Sequence, residues 1–186
     1  YKVMSTLKVN SIIPIAGVPT GGGGGIVQIK MNTNTTTQGS VSCSTTTDYY
    51  DITDLNVTIT PTSSSSKILV NFTLFGEGSV SDHRIGFRLK RAISGGSTTF
   101  IQGTSDSQYC TLPCMNYQGD SNSTPATGHF GPYLDSPSTS SAVTYTVQVR
   151  FHEDNNATWY YNRSVNPGGS DHESGVSCIT AMEVSA

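Results

Sequence analysis

Four histidines, thirteen carboxylic acids and four cysteines are the groups with which this 186-residue chain could do acid–base, metal or nucleophilic chemistry. His83, His129, His152 and His172 each fall in a different segment. Asp82-His83 and Asp171-His172 are adjacent pairs. Neighbours on an extended strand point to opposite faces, so neither pair is a ready dyad. His152 closes a long alternating run on its polar side and reads as a solvated edge residue. The chain contains no Gly-x-Ser-x-Gly elbow and no His-Glu-x-x-His pair. Asp48, Asp51 and Asp54 form a loop series that a cation could use, but the glycine and closing glutamate of a calcium loop are missing. Sugar cleavage needs two carboxyl groups converging on one bond, and no pair stands at a suggestive spacing. Cys110 and Cys114 have a spacing open to zinc, yet Cys43 and Cys178 do not make a second knuckle. Four cysteines also allow three disulfide pairings. The plainer reading is four small buried hydrophobes. These residues predict a protein that is not an enzyme, with no cofactor and no metal.

The elements that would position such groups follow from composition. Charged residues make up 12% of the chain, Gly numbers 19, and Ser and Thr together number 51. Helices favour Ala, Leu, Glu, Lys and Arg, which are scarce, so the expected class is all-β. A net charge of −3 argues against a charged disordered chain, and ten Lys plus Arg give no basic stripe for nucleic acid. The apolar run Ile12 to Val18 is short and broken by Pro14 and Gly17, so neither membrane insertion nor a signal peptide is expected. The six Asn-x-Ser/Thr acceptors, at Asn34, Asn56, Asn71, Asn122, Asn156 and Asn162, reflect the abundance of Ser and Thr.

Residues 1–25 are expected to be an extended arm carrying Leu7, Val9, Ile12 and Ile13, ended by a hinge at Gly21, Gly22, Gly23, Gly24 and Gly25. A β-like run, Ile26 to Met31, follows the glycines instead of the helix that a phosphate loop requires. From residue 26 to 186 the pattern has period two. Leu55, Val57 and Ile59 alternate with polar residues, as do Ile85, Phe87 and Leu89, and the run Val143 to Phe151 is the cleanest. Lys67 to Phe75 offers apolar residues on both faces; Trp159-Tyr160-Tyr161 and Val176 to Val184 complete the set. Turn residues cluster at Gly76-Glu77-Gly78, Ser94-Gly95-Gly96, Asp154-Asn155-Asn156 and Asn166-Pro167-Gly168-Gly169. Roughly eight to ten short strands with such turns predict a β-sandwich or jelly roll. Gly103 to Pro137 reads as a long loop region dotted with aromatics. Tyr117, Tyr133, Trp159 and Tyr160 are the candidate glycan-stacking platforms. Arg84, Arg88 and Lys90 share the polar face of one strand, either as an outward patch for an acidic partner or as a solvated sheet face.

Three stretches carry a resemblance. The opening Met4-Ser-Thr-Leu-Lys-Val-Asn-Ser-Ile-Ile-Pro, with the glycine run, resembles the start of structural proteins of tailed phages from marine cyanobacteria. Leu55 to Val70 is similar to the strand–turn–strand of their tail-fibre-like domains, and Tyr133 to Val149 with Ile179 to Val184 resembles the closing half. The resemblance implies a virion structural protein, assembled in the bacterial host cytoplasm and then extracellular. It also implies a homotrimer whose arm docks onto other virion proteins of the tail or capsid. A host surface glycan is the candidate outward target. A capsid decoration or head-fibre protein is the alternative within that class, and a free carbohydrate-binding lectin the alternative outside it. Tyr1, Lys2 and Val3 precede the resemblance.

Overall fold

Val143 to Phe151 sets Val, Tyr and Phe against Thr, Gln and Arg at alternate positions, and a strand sends those two sets to opposite faces. The same period recurs through a computed structural model that describes residues 25–36, 39–80, 85–101, 111–113, 125–166, 168 and 173–185. Its strands are β1 (Ile26–Asn34), β2 (Gly39–Cys43), β3 (Tyr50–Ile59), β4 (Lys67–Gly78), β5 (Ile85–Ile93), β6 (Thr98–Ile101), β7 (Leu112–Pro113), β8 (Ala126–Asp135), β9 (Val143–Phe151), β10 (Ala157–Tyr161) and β11 (Ser177–Val184). No helix occurs among the described residues. The predicted arm residues Leu7, Val9, Ile12 and Ile13 and the hinge glycines Gly21 to Gly24 lie outside them. Gly25 is described, and its carbonyl accepts the Ser185 N–H at 3.1 Å.

Two antiparallel sheets result. Sheet A runs β1–β11–β4–β10–β2 with β8 also on β4; sheet B runs β3–β9–β5–β6 with β7 also on β5. β11 pairs Lys67 to Thr73 of β4 and β10 pairs Gly76 to Gly78, so β10 and β11 lie end to end along one side of it. β1 and β2 continue that arrangement against β11 and β10. β6 and β7 likewise share one side of β5. Each sheet therefore has four lanes. Along the chain every step from lane to lane crosses between the sheets except the β5–β6 hairpin. That is the winding of a jelly roll, and the expected all-β sandwich is the fold.

The inner faces meet through Ile68, Val70, Phe72 and Leu74 of β4 and Val143, Tyr145, Val147, Val149 and Phe151 of β9, all buried. Each such side chain contributes about 1.5–3 kcal/mol by leaving water. Cys43 joins this core as a free thiol whose pKa burial pushes up to about 12, as a small hydrophobe would; Cys178 is free and half-buried. Cys110 and Cys114 lie outside the described residues.

Three expectations change. Gly76-Glu77-Gly78 is the end of β4 and not a turn. A Cβ on Gly76 would come within 2.7 Å of the Trp159 ring, so glycine there serves close approach. The latter part of the Gly103–Pro137 region is β8, an edge lane able to accept Pro132. The face that carries Arg88 and Lys90, one reading of which is a solvated sheet face, is interlocked: Gln148 and Arg150 of β9 on that face are buried, and Arg88 bonds Gln148.

Buried polar groups sit where chain segments meet. Asn162, at φ +64°, donates to the carbonyls of Asn34 (2.8 Å) and Thr36 (3.1 Å) and accepts the Ser177 hydroxyl at 2.7 Å. It thus ties the breaks in both interrupted lanes together. Asp135 of sheet A accepts Arg91 Nη1 and the Tyr145 hydroxyl of sheet B, each at 2.7 Å. Glu183 is fully buried and accepts the Thr62 N–H (2.7 Å), the Thr62 hydroxyl (2.6 Å) and the Gln28 amide (2.7 Å). Burial raises its pKa, but these bonds and one from Ser66 outweigh it and hold the carboxyl down to about 2.

A carboxylate with a depressed folded-state pKa stabilises the fold fully above its unfolded value and loses that contribution as pH falls toward its folded value. Glu183→Gln, which keeps one accepting oxygen for Thr62 and turns amide hydrogens toward the Gln28 donor, is expected to cost about 1–3 kcal/mol at neutral pH. Denaturant titrations should show the gap between wild type and variant closing as pH falls from 4.5 to about 2. A gap constant across that window would refute the role given to Glu183.

Candidate functional site

Alternation along β11 and β4 turns Met182, Val184 and Leu69 away from the core, onto the outer face of sheet A. Register aligns Ile29, Met182, Leu69 and Leu134 into one apolar row across all four lanes. Ile26 stands beside Val184, and Met31 follows Ile29 on the same face. Ile29 is 56% exposed, Met31 65% and Leu134 55%. Another part of this face is covered. There the segment after β10 returns over the sheet: Arg163 stacks on Tyr160 with its guanidinium carbon 4.1 Å from the ring centroid, and the Val165 N–H reaches Glu77 at 2.6 Å. A Cβ on Gly175 would strike the Phe75 ring at 2.6 Å, so that strap lies directly on the sheet. The apolar row lies beyond the strap, at the end where the described chain begins with Gly25 and Ile26.

A second feature is polar. The β3–β9 ladder runs Asp51↔Gln148 and resumes at Asn56↔Thr146, so β3 bulges over residues 52–55. The bulge turns Thr53 and Asp54 outward into a notch of about 350 Å³ that Asn32, Asn34, Thr36 and Asn56 also line. Asn32 donates to the Asp54 and Asn56 carbonyls at 3.0 and 2.9 Å, and the Tyr161 hydroxyl donates to the Asp54 carboxylate at 2.6 Å. That bond and burial raise the Tyr161 pKa. Hydroxyls, amides and one carboxylate suit neutral polar groups. The series Asp48, Asp51 and Asp54 does not converge: Asp48 holds Thr45, Asp51 holds Lys90 and Gln148, and Asp54 holds Tyr161. Among the described residues no group of three or more His, Cys, Asp or Glu could hold a metal ion.

The predicted stacking residues separate. Trp159 is 3% exposed, edge-on to Phe87 with ring centroids 4.9 Å apart, so it is a core residue and offers no face to a sugar. Its inward position follows from strand parity on β10, which also turns Tyr160 outward, under Arg163. Tyr133 is 39% exposed at the β8 edge, tilted against Phe130. Tyr117 lies outside the described residues, as do His83, His172 and Arg84. His129 accepts or donates to the Thr73 hydroxyl at 3.2 Å, and His152 meets the Tyr49 ring edge-on, so these two stand in different sheets' surroundings. Sequence periodicity alone does not reveal the apolar row; its one signal is the presence of apolar residues on both faces of Lys67 to Phe75.

The sequence matches no protein-family model and no curated protein.

Trp159→Ala is expected to destabilise the fold by about 3–5 kcal/mol, the cost of emptying a large buried aromatic site. Chemical denaturation measures it directly. A loss under about 1 kcal/mol would place Trp159 outside the core.

Proposed function

We propose that this chain is a non-enzymatic virion surface protein of a phage, tail-fibre- or knob-like, that assembles with copies of itself. The observation that carries the reading is the apolar row of sheet A, which no described residue covers, beside the start of β1. An apolar sheet face open to water has a free-energy cost that a matching face removes. A second copy supplies such a face without any further partner, and symmetric closure then also protects the β1 edge. The trimeric order and the marine phage setting come from the sequence resemblance, as does docking of residues 1–25 onto other virion proteins. The jelly roll suits a rigid external head, because its two sheets pack face to face through one continuous core. Host surface glycan is the outward target in this reading, with Tyr133 as an exposed aromatic on the described surface.

Sedimentation of the full chain is expected to give a homotrimer. Ile29→Glu with Met31→Glu, both at exposed positions, should yield monomers that keep the β-sheet circular dichroism of the wild type and melt at a lower temperature than the assembly. Antibody to residues 26–186 should decorate the outside of intact particles in electron micrographs, at fibre tips; label spread over the shell would favour the decoration alternative. A monomeric wild type, or particles without label, would remove the proposal.

A further inference from the structure

The outer face of sheet B carries a different surface. Arg88 of β5 extends there between two aromatic rings, its guanidinium carbon 4.0 Å from the Tyr49 centroid and 3.7 Å from that of Phe100. Its Nε donates to Gln148 Oε1 at 2.7 Å, and Gln148 is fixed in turn by Asp51 at 2.6 Å. Asp51 also holds Lys90, so its charge is already matched. Among the described residues no group accepts a hydrogen bond from Arg88 Nη1 or Nη2. Neither nitrogen is a buried orphan, so both reach solvent. Arg150 stands on the same face, 5.7 Å from the Tyr49 ring, with its Nε bonded to the Thr46 carbonyl at 2.6 Å. Burial first, and Arg150 after it, lower the Arg88 pKa, as expected where a cation lacks a full complement of counter-charge.

This is a prepared fork. A guanidinium held by one edge and clamped on both planes has already given up its rotamer freedom, and its outward edge matches a carboxylate or sulfate in bidentate geometry. Phe100, 40% exposed, adds an apolar surface beside that edge. A sugar ring with an acidic substituent presents both matching features, a C–H face for Phe100 and an anion for Arg88. An extended glycan chain also meets hydroxyls four residues further along β9, where Thr58 and Thr144 bond each other at 2.8 Å. An acidic protein segment would use the charge and leave the apolar ring and the hydroxyls without a counterpart.

We propose that the outer face of sheet B binds an acidic glycan, its carboxylate or sulfate seated on the free edge of Arg88 and its ring against Phe100. The site specifies the glycan target of the reading above and rests on that reading only for its setting. Oligomer mass and particle labelling test that reading; polyanion binding tests this one.

The full chain is titrated by calorimetry with polygalacturonate, dextran sulfate, neutral dextran and polyglutamate. Binding to polygalacturonate or dextran sulfate is expected, which of the two identifying the anion, together with weakening at ~0.5 M salt and no heat with dextran. Arg88→Ala should weaken binding about tenfold or more, and Arg88→Lys should not restore it, since lysine lacks the planar fork. Phe100→Ala, at an exposed position, should weaken it several-fold and keeps the test open if the Arg88 variants fail to fold. Lys67→Ala, on sheet A, should leave it unchanged. Absence of binding to both acidic glycans, equal binding to polyglutamate (an acidic protein partner instead), or full binding by a folded Arg88→Ala or Phe100→Ala chain would each overturn the proposal.

Discussion

A two-layer sandwich buries one face of each sheet and leaves two faces over. Period-two alternation means that every strand must supply residues for both, so the sequence has to specify the outer faces as fully as the core. The two sheets do so in opposite ways. Sheet B covers itself with polar side chains long enough to lie flat: Arg88, Gln148, Lys90 and Asp51 interlock, and Arg150 lies beneath them, buried. Sheet A is covered in part by the residues that follow Asn162 and carries an exposed apolar row elsewhere. With charged residues at 12%, the chain has few groups to spend on ordinary solvation, and it concentrates them.

The inner charges follow the same economy. An unpaired buried carboxylate would cost several kcal/mol, so each one has to arrive with its donors. Asp135 does so across the two sheets, through Arg91 and Tyr145, and becomes a fixed link between layers at one corner. Glu183 collects N–H and O–H groups from the β3–β4 turn and from β1, and so holds that turn to the last strand. Asn162 performs the neutral version of this task. Two lanes broken at the same level would leave carbonyls of Asn34 and Thr36 without sheet partners, and one amide in a left-handed backbone answers both. Polar groups therefore fix the corners, while apolar burial supplies the driving force between them.

The strands with clean alternation were legible because their two faces differ in chemistry: β3's second half, β5, β9 and β11 all lie where their patterns predicted. Glycine defeated the same method twice. Gly76 and Gly78 read as a turn because freedom at φ and absence of a Cβ look identical in a sequence, and here the missing Cβ makes room for Trp159 and Phe151. β8 was hidden by Gly128, Gly131 and Pro132, which an edge lane tolerates and a central one would not. Trp159 was offered as a surface platform because aromatic content does not reveal parity, and parity on a five-residue strand hangs on where it begins. The Arg88 cluster was half legible. The shared polar face of Arg88 and Lys90 follows from spacing, but Tyr49 comes from a loop 39 residues earlier and Phe100 from across a hairpin, and only the sheet unites them.

Placing the two open surfaces on opposite sheets has a geometric consequence. Sandwiched sheets lie about 10 Å apart, back to back, so their outer faces point in opposite directions. If copies of the chain turn their apolar rows toward a common axis, the faces bearing Arg88 necessarily point away from it, one per subunit. Assembly then takes nothing from recognition, and repeated weak contacts along one polyanionic chain add through effective concentration instead of through affinity at any single fork. A reversed arrangement, with the cationic faces inward, would bring Arg88 and Arg150 of every copy together around the axis and leave the apolar rows in water. Like-charge repulsion and exposed apolar area both disfavour it. The asymmetry of the two outer faces thus selects one orientation of the subunit in an assembly, and that orientation is the one that displays the proposed glycan site.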